Sequence, residues 1–190
     1  MPEGGIPQRL ARAGSRAALR TLLRPALDPR VPPRIQRAWT ERLAAINRLP
    51  RGTDLVPLEL DGVPAIRIQH ETGTGRIAIL YLHGGGYVIG SARAEAVIPA
   101  FLARSSGATV YALDYRLAPE HAFPAALEDT RAAYGWLLGR GADPARVALV
   151  GDSAGSGLAV AEAVRARDAG EPLPGALGLI SPWLDLTLSG

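Results

Sequence analysis

The sequence predicts an α/β protein whose mostly parallel sheet is doubly wound, with helices on both faces. From residue 77 onward, short apolar strand-like segments alternate with helix-like segments. Strands and helices in alternation imply right-handed crossovers and a parallel sheet covered on both sides. A chain of 190 residues, 47% of them hydrophobic, is long enough for one domain with its own core.

Two helices are predicted ahead of the sheet. Between residues 7 and 24, leucines and alanines recur near helical spacing among arginines, and Pro25 ends the segment. A second helix is predicted from Pro33 to Leu49. Its apolar stripe consists of Ile35, Ala38, Trp39, Leu43 and Ile46. Because such stripes mark core-facing surfaces, we expect the segment 1–51 to dock against a core domain formed by residues 52–190.

A β-hairpin and an alternating series of elements follow. The hairpin strands are predicted at 56–60 and 63–69, on either side of Asp61-Gly62, a common two-residue turn. The remaining predicted strands are 77–82, 108–113, 147–150 and 176–180, and the predicted helices are 94–105, 125–139 and 154–169. The sequence contains no internal repeat and no low-complexity linker.

The composition excludes several classes of protein and site. The longest apolar runs are far shorter than the roughly 18 residues of a membrane span, so no transmembrane segment is expected. The chain has no cysteine, which excludes disulfides, a thiolate nucleophile and cysteine-based zinc sites. This is compatible with a cytoplasmic location, which we expect. No set of His, Asp and Glu has the spacing of metal ligands, so no metal is expected.

The charge of the chain is uneven. Residues 1–51 hold 11 arginines against Glu3, Asp28 and Glu41, although the net charge of the whole chain is only +3. Every basic residue is arginine, which we interpret as the bias of a GC-rich genome, and we therefore expect no nucleic-acid partner. An arm that binds membrane or nucleic acid, or a cleaved transit peptide, is the alternative interpretation of this segment.

Gly151-Asp152-Ser153-Ala154-Gly155 is the first motif that carries chemistry. It lies between a predicted strand and a predicted helix, which is the context of a nucleophilic serine on a sharp turn. The turn demands unfavourable backbone angles, and glycines two positions either side avoid clashes with neighbouring backbone. The sequence thus predicts Ser153 as a catalytic nucleophile with Asp152 in support, against the simpler interpretation of a glycine-rich turn.

His83-Gly84-Gly85-Gly86, directly after a buried strand, is the second motif. Successive glycines let backbone amides face a ligand oxygen. Gly84, Gly85 and Gly86 together with Ala154 form the candidate oxyanion hole, in which the amides of Gly85, Gly86 and Ala154 are the expected donors. His83 is expected to support the loop. A phosphate-binding loop is the alternative, but neither common phosphate-binding glycine motif is present.

Together these motifs resemble the hormone-sensitive-lipase-like branch of the α/β-hydrolases, the bacterial esterases with a His-Gly-Gly-Gly loop. The resemblance continues through residues 114–129 and 181–187 and covers about residues 55–190. It implies the α/β-hydrolase fold and lipase-like or carboxylesterase activity on short to medium acyl esters through an acyl-enzyme. It also implies a small-molecule ester substrate, no metal or organic cofactor, and a helical cap formed by residues 1–51.

The chain departs from the family pattern at a few positions near these motifs. Ser156 stands where the family usually has Gly or Ala, and Val150 where Ser or Ala is common. Ala94-Glu95 replaces a Thr-His pair. Each change is expected to reshape the pocket slightly.

The catalytic triad is the larger departure. In this fold the acid and the histidine follow the serine, whereas His70, His83 and His121 all precede Ser153. His70 is expected to be an exposed turn residue, and His121 and Asp185 are expected to be structural, as the resemblance implies. We therefore expect a chain truncated at its carboxyl terminus, without its last strands, and inactive as 190 residues. A non-catalytic pseudoenzyme or a fragment that binds acyl ligands is the alternative.

The strand predicted at 176–180 would then lack its neighbour. An unpaired strand offers free backbone donors and acceptors to other chains. A homo-oligomer formed through this sheet edge is therefore expected.

Overall fold

The computed structural model describes residues 21, 24–26 and 28–187. The elements in chain order are α1 (Pro33–Ala44), β1 (Thr53–Leu60), β2 (Val63–His70), β3 (Ala78–Leu82), α2 (Val97–Ser106), β4 (Thr109–Leu113), α3 (Ala125–Gly139), a 3-10 turn (Pro144–Arg146), β5 (Val147–Asp152), α4 (Ala154–Asp168) and β6 (Ala176–Ile180). The predicted alternation of strands and helices is confirmed. No helix in this part of the chain is long and apolar enough to cross a membrane.

A single six-stranded sheet forms the middle layer, in the order β1-β2-β4-β3-β5-β6. β3, β4, β5 and β6 run parallel, whereas β2 is antiparallel to both β1 and β4. Asp61 and Gly62 join β1 to β2 with φ of 53° and 81°, since a tight hairpin turn of this kind needs left-handed residues. The prediction of a mostly parallel sheet is confirmed.

The strand order reverses at β3. β4 lies on one side of β3, and after β4 the chain crosses back so that β5 lies on the other side. Ligands of open α/β sheets bind outside the carboxyl ends of the strands at such a reversal. Leu82 at the end of β3 pairs with Gly151 near the end of β5. The loops that follow these two strands therefore begin side by side at the carboxyl end of the sheet.

Helices cover both faces of the sheet, as a doubly wound fold requires. One apolar cluster contains Leu80, Leu82 and Leu149 and packs under α3 and α4. The other contains Ile79 and Tyr81 on the opposite face and packs under α2. Successive residues of β3 therefore enter different cores, which fixes the strand in place and with it the loop that follows.

α1 differs from its prediction in length and in the face that it buries. It ends at Ala44 rather than at Leu49, because residues 45 and 46 already form a turn. The predicted apolar stripe is largely exposed, with Ile35 at 50% and Ile46 at 77%, whereas Gln36 is buried. The predicted burial of the stripe is wrong because polar contacts anchor the helix, for example the bond from Gln36 Nε2 to the Asp28 carbonyl. The helix predicted over 7–24 lies outside the described residues except for two positions.

β6 is the outer strand of the sheet beside β5. Its apolar side chains are partly exposed on both faces, with Leu177 at 42%, Leu179 at 37% and Ile180 at 38%. Neighbouring β5 is by contrast almost entirely buried. The apolar side chains of β6 are therefore less buried than those of β5.

Candidate active site

Ser153 lies at the junction of β5 and α4 in a conformation that few residues adopt. Its φ is 50° and its ψ is −117°, a strained combination for a residue with a side chain. A Cβ on Gly151 would lie 2.3 Å from the backbone of Gly155, and a Cβ on Gly155 would lie 2.0 Å from the Leu82 carbonyl oxygen. Both glycines are therefore required for the turn, as the motif predicts.

The backbone of Ser153 is held from the side of β6. Its N–H donates to the Ile180 carbonyl at 2.9 Å, and its carbonyl accepts from the Trp183 N–H at 3.1 Å. The residue is half-buried, and within the described part of the chain its hydroxyl has no hydrogen-bond partner. The turn thus presents a hydroxyl group that the surrounding residues do not occupy.

Three backbone N–H groups that follow the adjacent ends of β3 and β5 are also unoccupied among the described residues. Ala154 begins α4, and Gly85 and Gly86 lie in the loop after β3. No backbone or side-chain acceptor among the described residues takes the N–H of any of the three. The N-terminus of a helix and a loop of successive amides both favour negative charge, so these groups can stabilise an oxyanion.

The loop after β3 needs glycine for steric reasons as well. Gly85 has φ of 103° and Gly86 has φ of 62°. A Cβ on Gly85 would lie 2.1 Å from the Ile89 carbonyl oxygen, while the nearest atom to a Cβ on Gly86 would be in the Trp183 ring, at 4.0 Å. Gly85 is therefore fixed by packing, whereas Gly86 borders open space beside Trp183.

Asp152 connects the two motifs. Its Oδ1 accepts from the Gly84 N–H at 2.9 Å and from the Tyr81 hydroxyl at 2.7 Å. Burial, the hydrogen bond to Asp152 and its charge raise the pKa of Tyr81, which keeps the phenol protonated as a donor. Because Asp152 already accepts the Gly84 N–H, the prediction that Gly84 belongs to the oxyanion hole is wrong. The N–H of Gly84 anchors the loop, whereas the N–H groups of Gly85 and Gly86 have no acceptor among the described residues.

His83 is a buried neutral histidine under the same loop. It is 1% exposed, and its ring stacks on Tyr115 with 4.3 Å between centroids. Nδ1 lies 2.8 Å from the Gly84 carbonyl, so Nδ1 carries the proton and donates. Burial lowers the pKa of His83, and Nε2 has no partner among the described residues. This arrangement suits a support for the loop.

Neither of the other two histidines belongs to the site around Ser153: His70 lies far from it, and His121 forms no hydrogen bond with it. His70 is the last residue of β2. Because β2 runs antiparallel to β4, His70 lies at the end of the sheet opposite to Ser153. It is 9% exposed, and its ring contacts Thr72 and the Arg51 carbonyl, so the expectation of an exposed turn residue is wrong. His121 is exposed, and its backbone N–H donates to the Leu117 carbonyl.

Asp185 caps a local turn. Its Oδ1 accepts from the N–H and the hydroxyl of Thr187 at 2.8 and 2.6 Å, and its carbonyl accepts from Trp183 Nε1. These contacts fit the structural role expected for it. Among the described residues no group of three His, Asp or Glu is placed to hold a metal ion.

Two contributors to the site gave no clear signal in the sequence. Arg37 of α1 donates from Nε to the Val88 carbonyl and from Nη2 to the Ala118 carbonyl, both at 2.8 Å, and it also pairs with Glu120. It therefore fastens α1 to the end of the glycine loop, but in the sequence it is one arginine among many. Trp183 is visible only as part of the motif at 181–187.

Known proteins resemble this chain in sequence and in fold. Residues 79–190 match a family described as having the alpha/beta hydrolase fold. The chain is 54% identical over 112 residues to an acetyl-hydrolase of Streptomyces hygroscopicus, covering 59% of this chain and 38% of that protein. It is 42% identical over 153 residues to LipR of Mycobacterium tuberculosis, covering 80% of this chain and 50% of LipR.

A solved structure is similar over the whole chain. It is the crystal structure of an esterase from the bacterial hormone-sensitive lipase family, with a TM-score of 0.86 and 43% sequence identity. The match covers 100% of this chain and 61% of the esterase. The chain thus spans half or less of the length of these two curated relatives and somewhat more of the solved one.

Proposed function

Because the chain belongs to the alpha/beta hydrolase fold family, we propose that Ser153 is the nucleophile of a carboxylic ester hydrolase acting on short to medium acyl chains. The observation that carries the proposal is the strained backbone of Ser153, at φ 50°, at the end of the sheet that also holds three amides without an acceptor among the described residues. Strain of this kind persists only where the surroundings impose it, and it clusters at functional sites.

The chemistry has two steps. Ser153 Oγ attacks the carbonyl carbon of the ester as its proton passes to a general base, and the carbonyl oxygen becomes an oxyanion. The amides of Gly85, Gly86 and Ala154 stabilise this charge. The intermediate collapses to an acyl-serine, and the alcohol leaves with the proton from the base. Water then attacks the acyl group in the same way, which releases the acid and restores Ser153.

The general base of this proposal is none of the three histidines of the chain. His83 is buried with its donor turned to Gly84, and His70 lies at the far end of the sheet. His121 makes no hydrogen bond to Ser153. A serine without a base is a weak nucleophile at neutral pH, so we expect residues 1–190 alone to hydrolyse esters negligibly.

The unpaired hydroxyl of Ser153 also favours a second candidate, an acyl-ligand-binding protein without turnover. The same strained turn and free amides would then hold a carbonyl or carboxylate oxygen. Hydrolysis of p-nitrophenyl butyrate by the complete gene product decides between the two. Saturable hydrolysis that disappears in Ser153→Ala supports the hydrolase, whereas binding of butyrate without hydrolysis supports the second candidate.

We further propose that α1 belongs to a cap over the site, within the segment 1–51. The contacts of Arg37 with Val88 and Ala118 support this, as does the hydrogen bond between Glu41 and Ser91. Separately, we propose that the protein is cytoplasmic and that it self-associates through the edge of the sheet formed by β6. Cell fractionation tests the location, and light scattering of the purified protein tests the association.

A further inference from the structure

Ser156 places a buried hydroxyl between the ends of β5 and β6. The residue is 0% exposed and lies in the first turn of α4. Its Oγ donates to the Gly151 carbonyl at 2.6 Å and accepts from the Ile180 N–H at 3.2 Å. The Ser156 hydroxyl therefore acts both as a hydrogen-bond donor and as a hydrogen-bond acceptor.

The two partners of Ser156 are themselves neighbours in the sheet. Asp152 pairs with Ile180 in the parallel ladder, and in that register the N–H of Ile180 faces the Gly151 carbonyl. The hydroxyl therefore contacts both the donor and the acceptor of this ladder position. It therefore bridges β5 and β6 at the point where β5 ends.

Ser153 depends on the same two residues. Its N–H donates to the Ile180 carbonyl, and Gly151 is the residue that allows the close approach of Gly155 below it. Ser156 thus forms hydrogen bonds with two residues next to the turn. One is Gly151, two residues before Ser153, and the other is Ile180, whose carbonyl accepts the Ser153 N–H. An unfavourable φ/ψ pair persists only when neighbouring contacts over-determine it, and this hydroxyl is one of those contacts.

We infer that Ser156 is a positioning residue for Ser153. Its hydroxyl keeps the turn in the strained conformation that presents Ser153 Oγ and leaves the Ala154 N–H free. The inference rests on the proposed hydrolase function, and it assigns a task to a side chain at a position where the resembled family usually has Gly or Ala.

The test compares Ser156→Ala with Thr130→Val in the complete gene product. Thr130 is a matched control because it is also 0% exposed and donates its hydroxyl to a backbone carbonyl, that of Ala126, at 2.8 Å on α3. We expect Ser156→Ala to lower kcat for p-nitrophenyl butyrate about tenfold with KM within about twofold. Thr130→Val should leave both constants unchanged. Ser156→Cys, which retains a weak donor, should recover part of kcat and serves as the folded alternative if Ser156→Ala does not fold.

Amide hydrogen exchange gives a readout that does not require hydrolysis. Ser156→Ala should speed exchange at the N–H groups of Ser153 and Ile180, and Thr130→Val should not. An unchanged kcat in Ser156→Ala, or equal effects of Ser156→Ala and Thr130→Val on kcat, would overturn the inference. If the wild-type gene product hydrolyses no ester, the proposed function fails, and unchanged exchange at Ser153 and Ile180 would then refute the positioning role by itself.

Discussion

The carboxylate of Asp152 accepts the backbone N–H of Gly84 across 2.9 Å. The residue before the candidate nucleophile therefore holds the loop that carries two of the candidate oxyanion donors. This contact joins segments that are far apart in the chain and explains why both motifs face one site. It also means that the positions of these two candidate donors depend on the side chain of Asp152.

Asp152→Ala should destabilise the fold. The substitution leaves the buried hydroxyl of Tyr81 and the N–H of Gly84 without their acceptor, and each unsatisfied buried group costs about 1–3 kcal/mol. We expect the free energy of unfolding in urea to fall by about 2 kcal/mol or more. Asp168→Ala is the control, because Asp168 is exposed and, among the described residues, forms an ion pair only with Arg167, so its loss should change stability by about 0.5 kcal/mol or less. Equal losses would show that Asp152 does not support the loop.

Gly155→Ala should be among the most damaging single substitutions in the chain. The added Cβ would lie 2.0 Å from the Leu82 carbonyl oxygen, so the backbone of the turn must shift, at a cost of about 1–3 kcal/mol or more. Gly135→Ala in α3 adds the same methyl group where nothing lies within 4 Å. It should stabilise the helix by up to about 1 kcal/mol. Thermal unfolding of the two variants measures this contrast, and a Gly155→Ala protein as stable as the parent contradicts the packing described here.

The attachment of α1 should weaken in acid. The hydrogen bond from Arg37 lowers the pKa of Glu120 below its ordinary value of 4.5. A carboxyl group with a lowered pKa in the folded state stabilises at pH above its unfolded value, and this stabilisation is lost as the pH falls through the folded pKa. Hydrogen exchange of a peptide spanning α1, corrected for intrinsic rates, should therefore rise below about pH 4.5.

Two substitutions show whether this ion pair is the cause. Glu120→Gln should reduce the pH dependence of the protection of α1 in that range, and the carboxylate of Glu41, which contacts Ser91, remains in this variant. Glu171→Gln is the matched control, because Glu171 also has a pKa lowered by an arginine, Arg165, but lies far from α1 in the chain. Its substitution should leave the pH dependence of α1 as in the parent. Identical profiles for all three proteins would exclude Glu120 as the titrating group.

Ala154→Pro should lower turnover without weakening substrate binding. Ala154 is the first residue of α4, and proline there removes an N–H that has no helical partner. Loss of one oxyanion donor typically costs about 10²- to 10³-fold in kcat. Steady-state kinetics of the complete gene product should show this loss with KM little changed, and circular dichroism should show a folded protein. A folded variant with the parent's kcat would remove Ala154 from the oxyanion hole.

The sequence predicted the elements that local patterns determine. The glycines around Ser153 and the turn at Asp61-Gly62 follow from backbone sterics, so their positions were visible without a structure. The contact of Asp152 with Gly84 was not visible, because it depends on β3 and β5 being neighbours in the sheet. For α1, periodicity predicted the helix and its start at Pro33 but not the face that it buries, since it detects apolar stripes and not the polar contacts of Gln36 and Arg37 that anchor this helix.

Covalent labelling tests the assignment of Ser153 as the nucleophile most directly. The complete gene product is treated with diethyl p-nitrophenyl phosphate, an organophosphate that esterifies activated serines, and its peptides are analysed by mass spectrometry. We predict a single diethylphosphoryl adduct on Ser153, formed in step with the loss of p-nitrophenyl butyrate hydrolysis, and no adduct in Ser153→Ala. An adduct on another residue that accompanies the loss of activity, or undiminished hydrolysis by Ser153→Ala, would contradict the account.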